Sequence, residues 1–236
     1  MQKTAEALKN LLRESIDTTP GQIATFFKTG VGGYAEHDHF IGVRVPTLRK
    51  LARSFESLPL DALKLLLTSP INEERFLALI ILSHQYKKGS LETKEKIYEF
   101  YIQNLNAINN WNLVDASAHL IIGAHLWDKD RRYLMELATS HAMWERRISI
   151  VATWYFIKRG DLDWTFKIAA LLLKDSHDLI HKSVGWMLRE AGVKDLSQLV
   201  LFLEIYKSTM PRTMLRYAIE KFPEEQRKSY LIKKPL

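Results

Sequence analysis

The chain has 236 residues, of which 47% are hydrophobic and 26% are charged, a composition typical of a globular protein with a sizeable core. It contains no cysteine, which excludes disulfide bonds, thiolate nucleophiles and cysteine-based zinc sites and suits a reducing compartment. The net charge of +7 is uneven, with 17 Lys and Arg against 16 Asp and Glu in residues 1–140, but 17 against 11 in residues 141–236. The basic C-terminal part favours a polyanionic partner such as nucleic acid, the alternative being a merely solvated basic surface.

The dominant period along the chain is helical. A first helix is indicated by apolar residues at helical spacing, namely Ala5, Leu8, Leu11, Leu12 and Ile16. Thr19 as N-cap, Pro20 at the first helical position and Gln22 predict the start of a second helix. Glycines between residues 30 and 42 mark the main loop. Later helices are predicted to begin near Pro46, Leu60, Asn72, Ser90, Trp111, Asp128, Met143, Asp161, His177, Lys194, Pro211 and Pro223.

These patterns predict an all-α protein. The one candidate strand, Ile41–Val45, is too short to found a sheet. No apolar run reaches the roughly 18 residues of a membrane span, and the N-terminal residues lack the hydrophobic core of a signal peptide. We therefore expect a cytoplasmic protein that does not enter a membrane. A monomer is expected, because no extended apolar stripe is left over.

Small residues recur along the predicted helices at intervals of 33 to 38 residues, at Ala78, Ala116, Ser149, Gly185 and Ala218. Small side chains let antiparallel helices approach closely, and a period near 35 residues is the length of a helical-hairpin repeat. Repeats of this kind stack into a curved solenoid with a long concave face. No linker interrupts the pattern, so a single domain is predicted over residues 1–236.

The stretch Asn109–Asp115 carries the first candidate site. Asn110 is a good N-cap for a helix that begins at Trp111, and Asp115 then lies one turn after Trp111 on the same face. An aromatic plane beside a carboxylate can hold a cationic or sugar-like group. The alternative is that Trp111 belongs to the core and Asp115 is a first-turn acid favoured by the helix dipole.

The same pattern occurs on two later helices. In all, three helices place an aromatic residue one turn from a charge: Trp111 with Asp115, Trp144 with Arg147, and Trp186 with Arg189 and Glu190. If the repeats are in phase, these faces line one concave surface, and three such faces on successive repeats argue for a site.

Five segments of the sequence resemble the signature helices of the AlkD-type DNA alkylation repair family: Gly42–Arg49, Trp111–Asp115, Trp144–Arg147, His181–Glu190 and Met210–Ile219. The similarity extends from about residue 20 to residue 232. The resemblance implies a right-handed solenoid of HEAT-like antiparallel helical repeats that grips duplex DNA in a basic groove. It also implies a glycosylase that removes cationic N3- and N7-alkylated purines without a metal or another cofactor.

Matched position by position, the resemblance places the catalytic aspartate at Asp115 and the two active-site tryptophans at Trp111 and Trp186. The arginine that contacts a phosphate falls on Arg147. An aromatic residue that shapes the cleft falls on Phe26 or Phe27, where the family has a tyrosine and this chain has none.

The chemistry of the reaction agrees with this assignment. An alkylated, cationic purine is already a good leaving group, so no general acid is needed, unlike ordinary glycoside hydrolysis with two carboxylates. One carboxylate can stabilise the developing oxocarbenium ion and orient a water, and indole faces add cation–π attraction. The family implies a lesion that stays in the base stack, whereas most glycosylases flip the base.

Further basic side chains are candidates for DNA backbone contacts: Arg146, Arg147, Lys158, Arg159, Lys182, Arg189, Arg212 and Arg216. Some of them will instead be solvated or paired with Glu145, Glu190 or Glu220. His177 and His181 are spaced like a zinc pair but lack a clear third ligand, so no metal site is predicted. The predicted function is an alkylpurine DNA glycosylase acting on double-stranded DNA. The alternative is a helical-repeat module that binds nucleic acid or protein without catalysis.

Overall fold

The computed structural model describes residues 3–232, and this part of the chain is helical, which confirms the predicted all-α class. The chain divides into two compact units, Met1–Ile121 and Ile122–Leu236. The helices of the first unit are α1 (Ala5–Glu14), α2 (Pro20–Ala24), α3 (Val45–Ser54), α4 (Leu60–Leu67), α5 (Asn72–Lys88), α6 (Leu91–Ile102) and α7 (Trp111–Ala118). Those of the second are α8 (Tyr133–Ala138), α9 (Met143–Ala152), α10 (Trp154–Ile157), α11 (Asp163–Leu171), α12 (Asp178–Lys194), α13 (Leu196–Tyr206), α14 (Arg212–Ala218) and α15 (Glu224–Leu231).

Two short turns complete the helical structure, a 3₁₀ turn at Leu105–Ala107 and a π-helical turn at His119–Gly123. No helix among residues 3–232 is both long and apolar enough to cross a membrane. The single domain over residues 1–236 stays a prediction, and its outermost residues, 1–2 and 233–236, lie outside the described part. The stacking of the hairpins into a solenoid also stays a prediction.

Most helix starts agree with the sequence because local signals set them. Thr19 caps α2 by accepting a hydrogen bond from the Gln22 amide at 3.3 Å, with Pro20 at the first helical position. The start predicted near Asp128 is wrong, because α8 begins only at Tyr133. There, Arg131 donates to the carbonyls of Leu126 and Trp127, which holds the intervening segment in a turn. The short helix α10 was not predicted.

The candidate strand Ile41–Val45 does not form, and no strand occurs within residues 3–232. Instead, the Glu73 carboxylate accepts from the backbone amides of Ile41, Gly42 and Val43 at 3.1, 3.0 and 3.4 Å. A side chain thus takes the donors that a neighbouring strand would use. His39 makes an isolated parallel bridge to Ile71.

The first unit is built around α5. Every residue from Asn72 to Ser83 is buried, and α5 packs against α3, α4, α6 and α7. Even the charged first turn is enclosed: Glu74 pairs with Lys9 at 3.1 Å and with Arg13 at 3.5 Å, both on α1. A helix that is buried on all sides is one that other elements surround, so α5 is the central helix of this unit.

The second unit is built around α12, which packs against α9, α10, α11, α13 and α14. Gly185 lies where α12 meets α14: a Cβ atom at this position would lie 2.5 Å from the Met214 carbonyl oxygen and 2.5 Å from Tyr217 Cβ. The predicted role of small residues in close helix approach is therefore confirmed at Gly185. Ala78, Ser149 and Ala218 are also buried, whereas Ala116 is half-buried.

Replacing Gly185 with alanine is expected to separate α12 from α14. Because the nearest atoms are the Met214 carbonyl oxygen and the Tyr217 Cβ, which cannot move without their backbone, G185A should cost about 2 kcal/mol of folding free energy and lower the melting temperature by about 6 °C. The matched control is G21A in α2, where no atom lies within 4 Å of the added Cβ. Thermal unfolding followed by circular dichroism measures both, and equal melting temperatures would contradict the close approach.

Candidate active site

The start of α7 is fixed by Asn110, as the sequence predicts. The Asn110 side-chain oxygen accepts from the Trp111 amide at 2.7 Å, so the cap acts on the first amide of the helix. Asn110 itself is fully buried. Trp111 and Asp115, one turn apart on α7, are both half-buried. The structure therefore presents this pair at a capped helix start and leaves each partly accessible.

An aromatic stack supports Trp111. The ring of Phe27 stacks on the Trp111 indole with centroids 5.0 Å apart and planes 20° apart. Phe40 stacks on Phe27 in turn, at 4.7 Å and 27°. Of the two candidates Phe26 and Phe27, Phe27 contacts Trp111, while Phe26 is 70% exposed, and a role of Phe27 in shaping a DNA cleft stays a prediction. One indole face is covered by Phe27, so a ligand must use the edge or the opposite face.

The surroundings of Asp115 are partly shielded from water. Burial raises the pKa of nearby Tyr101, and the charge of Asp115 raises it further, against the opposing hydrogen bond from Ser117. Tyr101 is fully buried, and its hydroxyl lies 2.9 Å from Ser117 Oγ. Asp115 is half-buried, and a carboxylate that is partly removed from water has larger electrostatic effects than one in bulk water.

Trp186 lies on α12 in the second unit and is half-buried. Its ring meets Trp154 edge to face, with centroids 5.0 Å apart, and Lys158 Nζ lies 3.6 Å from the Trp154 ring centroid. Burial lowers the pKa of Lys158, and the Glu190 charge opposes this shift. Trp154 was not predicted as a site residue. Trp154 and Lys158 are four residues apart, which is the same one-turn aromatic–charge spacing as in the three predicted helices. This spacing in the sequence would have singled out Trp154 as a candidate.

Two of the predicted DNA-binding arginines point into the protein. Arg147 is 5% exposed and donates to the Leu179 carbonyl at 2.5 Å. Arg146 Nε donates to Asp175 at 2.6 Å, and its Nη1 donates to the carbonyls of Ser140 and His141, both at 2.9 Å. The contacts with Asp175 and Leu179 join α9 to the segment before α12 and to the first turn of α12. The phosphate contacts of Arg146 and Arg147 stay predictions.

Most of the other predicted basic residues are more accessible, whereas the Arg189 side chain is about as enclosed as that of Arg146. Lys182 pairs with Asp178 at 2.8 Å. Arg189 pairs with Glu190 at 3.0 Å and with Glu220 at 2.5 Å, partners that the sequence indicated as the alternative to DNA. Arg212 and Arg216 are exposed on α14, and Arg212 Nη1 donates to the Leu231 carbonyl at 2.6 Å.

Several of these side chains surround an open pocket of about 470 Å³ in the second unit. Its lining combines three cations with two carboxylates and two hydroxyl groups, from Asp178, Lys182, Thr213, Arg216, Tyr217, Glu220 and Arg227. Both carboxylates have cationic partners, since Asp178 pairs with Lys182 and Glu220 pairs with Arg189. The excess of positive charge suits an anionic group.

The histidine pair His177 and His181 has structural contacts. His177 Nδ1 accepts from the Leu179 amide at 3.1 Å and thereby caps α12, and His181 Nε2 lies 2.5 Å from the Asp175 carbonyl oxygen. In the described part of the chain, no group of three or more His, Asp or Glu side chains is placed to hold a metal ion.

The cap at His177 predicts a pH dependence. Burial lowers the pKa of His177, against the charges of Asp175 and Asp178, so the folded protein favours the neutral ring that can accept the Leu179 hydrogen bond. The stabilisation is therefore present above the unfolded pKa of about 6.5 and lost as pH falls through the folded pKa.

H177N provides the test, because asparagine caps a helix at any pH in this range. Between pH 8 and pH 5, the melting temperature of the wild type should fall further than that of H177N. His181 is present in both proteins, so its titration cancels in the comparison. An identical pH dependence of the two would show that the His177 cap contributes nothing.

The fold is shared with a solved structure described as a predicted DNA alkylation repair enzyme from Enterococcus faecalis. The match has a TM-score of 0.65 and 14% sequence identity, and it covers 89% of this chain and 99% of that one. At this identity the likeness establishes the all-helical fold alone. No curated protein matches the sequence.

The family follows from the sequence itself. The model of the DNA alkylation repair enzyme family matches residues 7–222, which is most of the chain. The protein therefore belongs to the DNA alkylation repair enzyme family, and the resemblance carried by its signature helices is confirmed.

Proposed function

We propose that the protein is an alkylpurine DNA glycosylase that hydrolyses the N-glycosidic bond of cationic N3- and N7-alkylated purines in duplex DNA. The observation that carries the proposal is the Trp111–Asp115 pair, one turn apart on α7, half-buried and held by a buried cap. Family membership supports a role in alkylation repair. A protein that only binds a polyanion gains nothing from a carboxylate at its binding surface.

Asp115 takes the catalytic role in this proposal. The bond between C1′ and the purine nitrogen breaks, its electron pair leaves with the base, and the base becomes neutral. The negative charge of Asp115 stabilises the sugar cation and orients the water that adds to C1′, whose proton passes to the carboxylate or to solvent. Because Asp115 is half-buried, this electrostatic effect is larger than that of a fully solvated carboxylate.

The tryptophans contribute contacts to the sugar cation. Trp111 is stacked on Phe27 with ring centroids 5.0 Å apart, and this contact supports one face of the indole and leaves the other for the sugar. Trp186, set against Trp154 at 5.0 Å, is the proposed second contact. Cation–π attraction is worth about 0.5–2 kcal/mol, depending on exposure. Because the sugar is more positive in the transition state than in the substrate, this attraction accelerates the reaction.

The DNA backbone is proposed to bind first to the accessible cationic side chains of the second unit. Arg216 and Lys182 border the pocket described above, and Arg212 lies on the same helix as Arg216. Arg146 and Arg147 are held by Asp175 and Leu179, so a phosphate contact by either one requires that a protein contact be exchanged. Affinity for DNA should accordingly fall with rising salt concentration.

The role of Asp115 is tested by D115N. Asparagine keeps the shape of the side chain but removes its charge, so release of methylpurines from methylated duplex DNA should fall about 100- to 1,000-fold. The assay is single-turnover base release at saturating protein, with affinity for undamaged duplex measured in parallel. D61N is the matched control, because Asp61 is an exposed first-turn acid of α4 in the same unit.

The result separates the proposal from a non-catalytic binding module. Release by the wild type and by D61N, with little release by D115N at equal DNA affinity, supports the glycosylase. Tight duplex binding without base release by the wild type would favour the binding module and leave Asp115 as a half-buried acid of α7 without a catalytic role.

The second tryptophan has its own test. W186A should slow single-turnover release by about 2- to 30-fold, the kinetic equivalent of one lost cation–π contact. The control is W164A, since Trp164 is also half-buried in the second unit and has a cation near its ring, Lys167 Nζ at 4.5 Å. If both variants lose the same activity per folded molecule, Trp186 has no special contact with the sugar.

A further inference from the structure

A buried carboxylate, Asp38, lies at the centre of a polar network in the first unit. Its side chain is 4% exposed. Oδ1 accepts from Arg75 Nη2, which forms a short ion pair, while Oδ2 accepts from the Asn72 side-chain amide at 2.9 Å and, at short range, from the Asn110 side-chain amide. The two oxygens thus have separate partners. Oδ1 binds the guanidinium group of Arg75 on α5, and Oδ2 binds Asn110, the residue that caps α7.

The network reaches the first residues of α7 by two routes. Asn110 donates to Asp38 through Nδ2 and accepts from the Trp111 amide through Oδ1, so one carboxamide joins the carboxylate to the helix start. Asn112 Nδ2 donates to Asn72 Oδ1 at 2.7 Å, and Asn72 donates to Asp38. The position of α7 is therefore coupled to Asp38 at residues on both sides of Trp111.

The same short segment supports the indole ring. Phe40, two residues after Asp38, stacks on Phe27, which stacks on Trp111. The segment is itself anchored to the start of α5, because the His39 amide donates to the Pro70 carbonyl at 3.1 Å and the Asn72 amide donates to the His39 carbonyl at 2.8 Å. Residues 38–40 thus support the site twice, once at the cap of its helix and once behind its ring.

We propose that Asp38 is a positioning residue for the Trp111–Asp115 site, acting through Asn110; this inference rests on the glycosylase function proposed above. Side chains on a helix surface lie about 5 Å from its axis, so a rotation of roughly 15° moves them by more than 1 Å. A displacement of that size at a reacting centre costs about 100-fold in rate. The Asp38–Asn110 hydrogen bond prevents that rotation at the end of α7 where the site lies.

Two isosteric changes interrupt the link. In D38N, an amide group placed at the Oδ2 position faces the amide donors of Asn72 and Asn110, while the remaining oxygen still accepts from Arg75. In N110D, two carboxylates face each other. Each variant should slow single-turnover methylpurine release by about 10- to 100-fold while affinity for undamaged duplex stays unchanged.

The double variant D38N/N110D reverses the donor and the acceptor. The new amide at position 38 then donates to the new carboxylate at position 110, and aspartate remains a good N-cap for Trp111. Release should recover by about tenfold relative to the single variants. A purely structural role does not produce this pattern, since it changes the folded fraction but not the rate per folded molecule.

E74Q is the control for the loss of a buried charge contact in the same unit. Glu74 is also on α5 and buried, but its partners are Lys9 and Arg13 on α1 rather than α7. E74Q should lower the melting temperature and leave the release rate per folded molecule within about twofold of wild type.

The outcomes are distinct. If D38N releases methylpurines at the wild-type rate per folded molecule, the positioning role of Asp38 is overturned, while the proposed glycosylase function still holds. Slow single variants without recovery in the double variant also overturn the donor–acceptor link. The absence of release from the wild type itself overturns the glycosylase and, with it, the role assigned to Asp38.

Discussion

The first unit depends on how the polar first turn of α5 is satisfied inside the protein. Asn72, Glu73, Glu74 and Arg75 are consecutive and all buried, and each would be costly without partners. Their partners come from three different parts of the chain. Glu73 binds the amides of residues 41–43, Glu74 binds α1, and Asn72 and Arg75 bind Asp38. One helical turn thereby assembles the loop, the N-terminal helix and the support of α7.

The features that the sequence predicted well, above all the starts of helices, depend on residues that are close together in the chain. Caps and prolines determine helix starts over a few residues, and for this reason Thr19, Asn110 and Ser90 could be identified as helix starts without a structure. The start of α8 was misjudged because Arg131 reaches back to carbonyls of the preceding turn, a contact that composition does not reveal.

The remaining parts of the candidate site depend on contacts between distant residues. The Asp38–Asn110 hydrogen bond joins residues 72 positions apart, and the Phe27–Trp111 stack joins two segments that are far apart in the sequence. Periodicity also cannot show which arginine of a pair is enclosed. Arg146 and Arg147 were both expected at a surface, yet α9 is buried from Arg147 to its end, and both guanidinium groups bind protein oxygens. By contrast, the contact between Trp154 and Lys158 joins residues four positions apart on one helical turn, a spacing that can be read directly from the sequence.

The capping of α7 has a consequence for the motions of the site. The first amide of a helix has no intrahelical acceptor and ordinarily exchanges its hydrogen with water by fraying. Here that amide belongs to Trp111 and donates to Asn110, which is 0% exposed and bound to a buried carboxylate. Exchange therefore requires the opening of the network around α5 and not just the fraying of one turn. The helix start that carries Trp111 thus belongs to the slowly opening part of the unit, in contrast to the mobile loops and lids that form many enzyme sites.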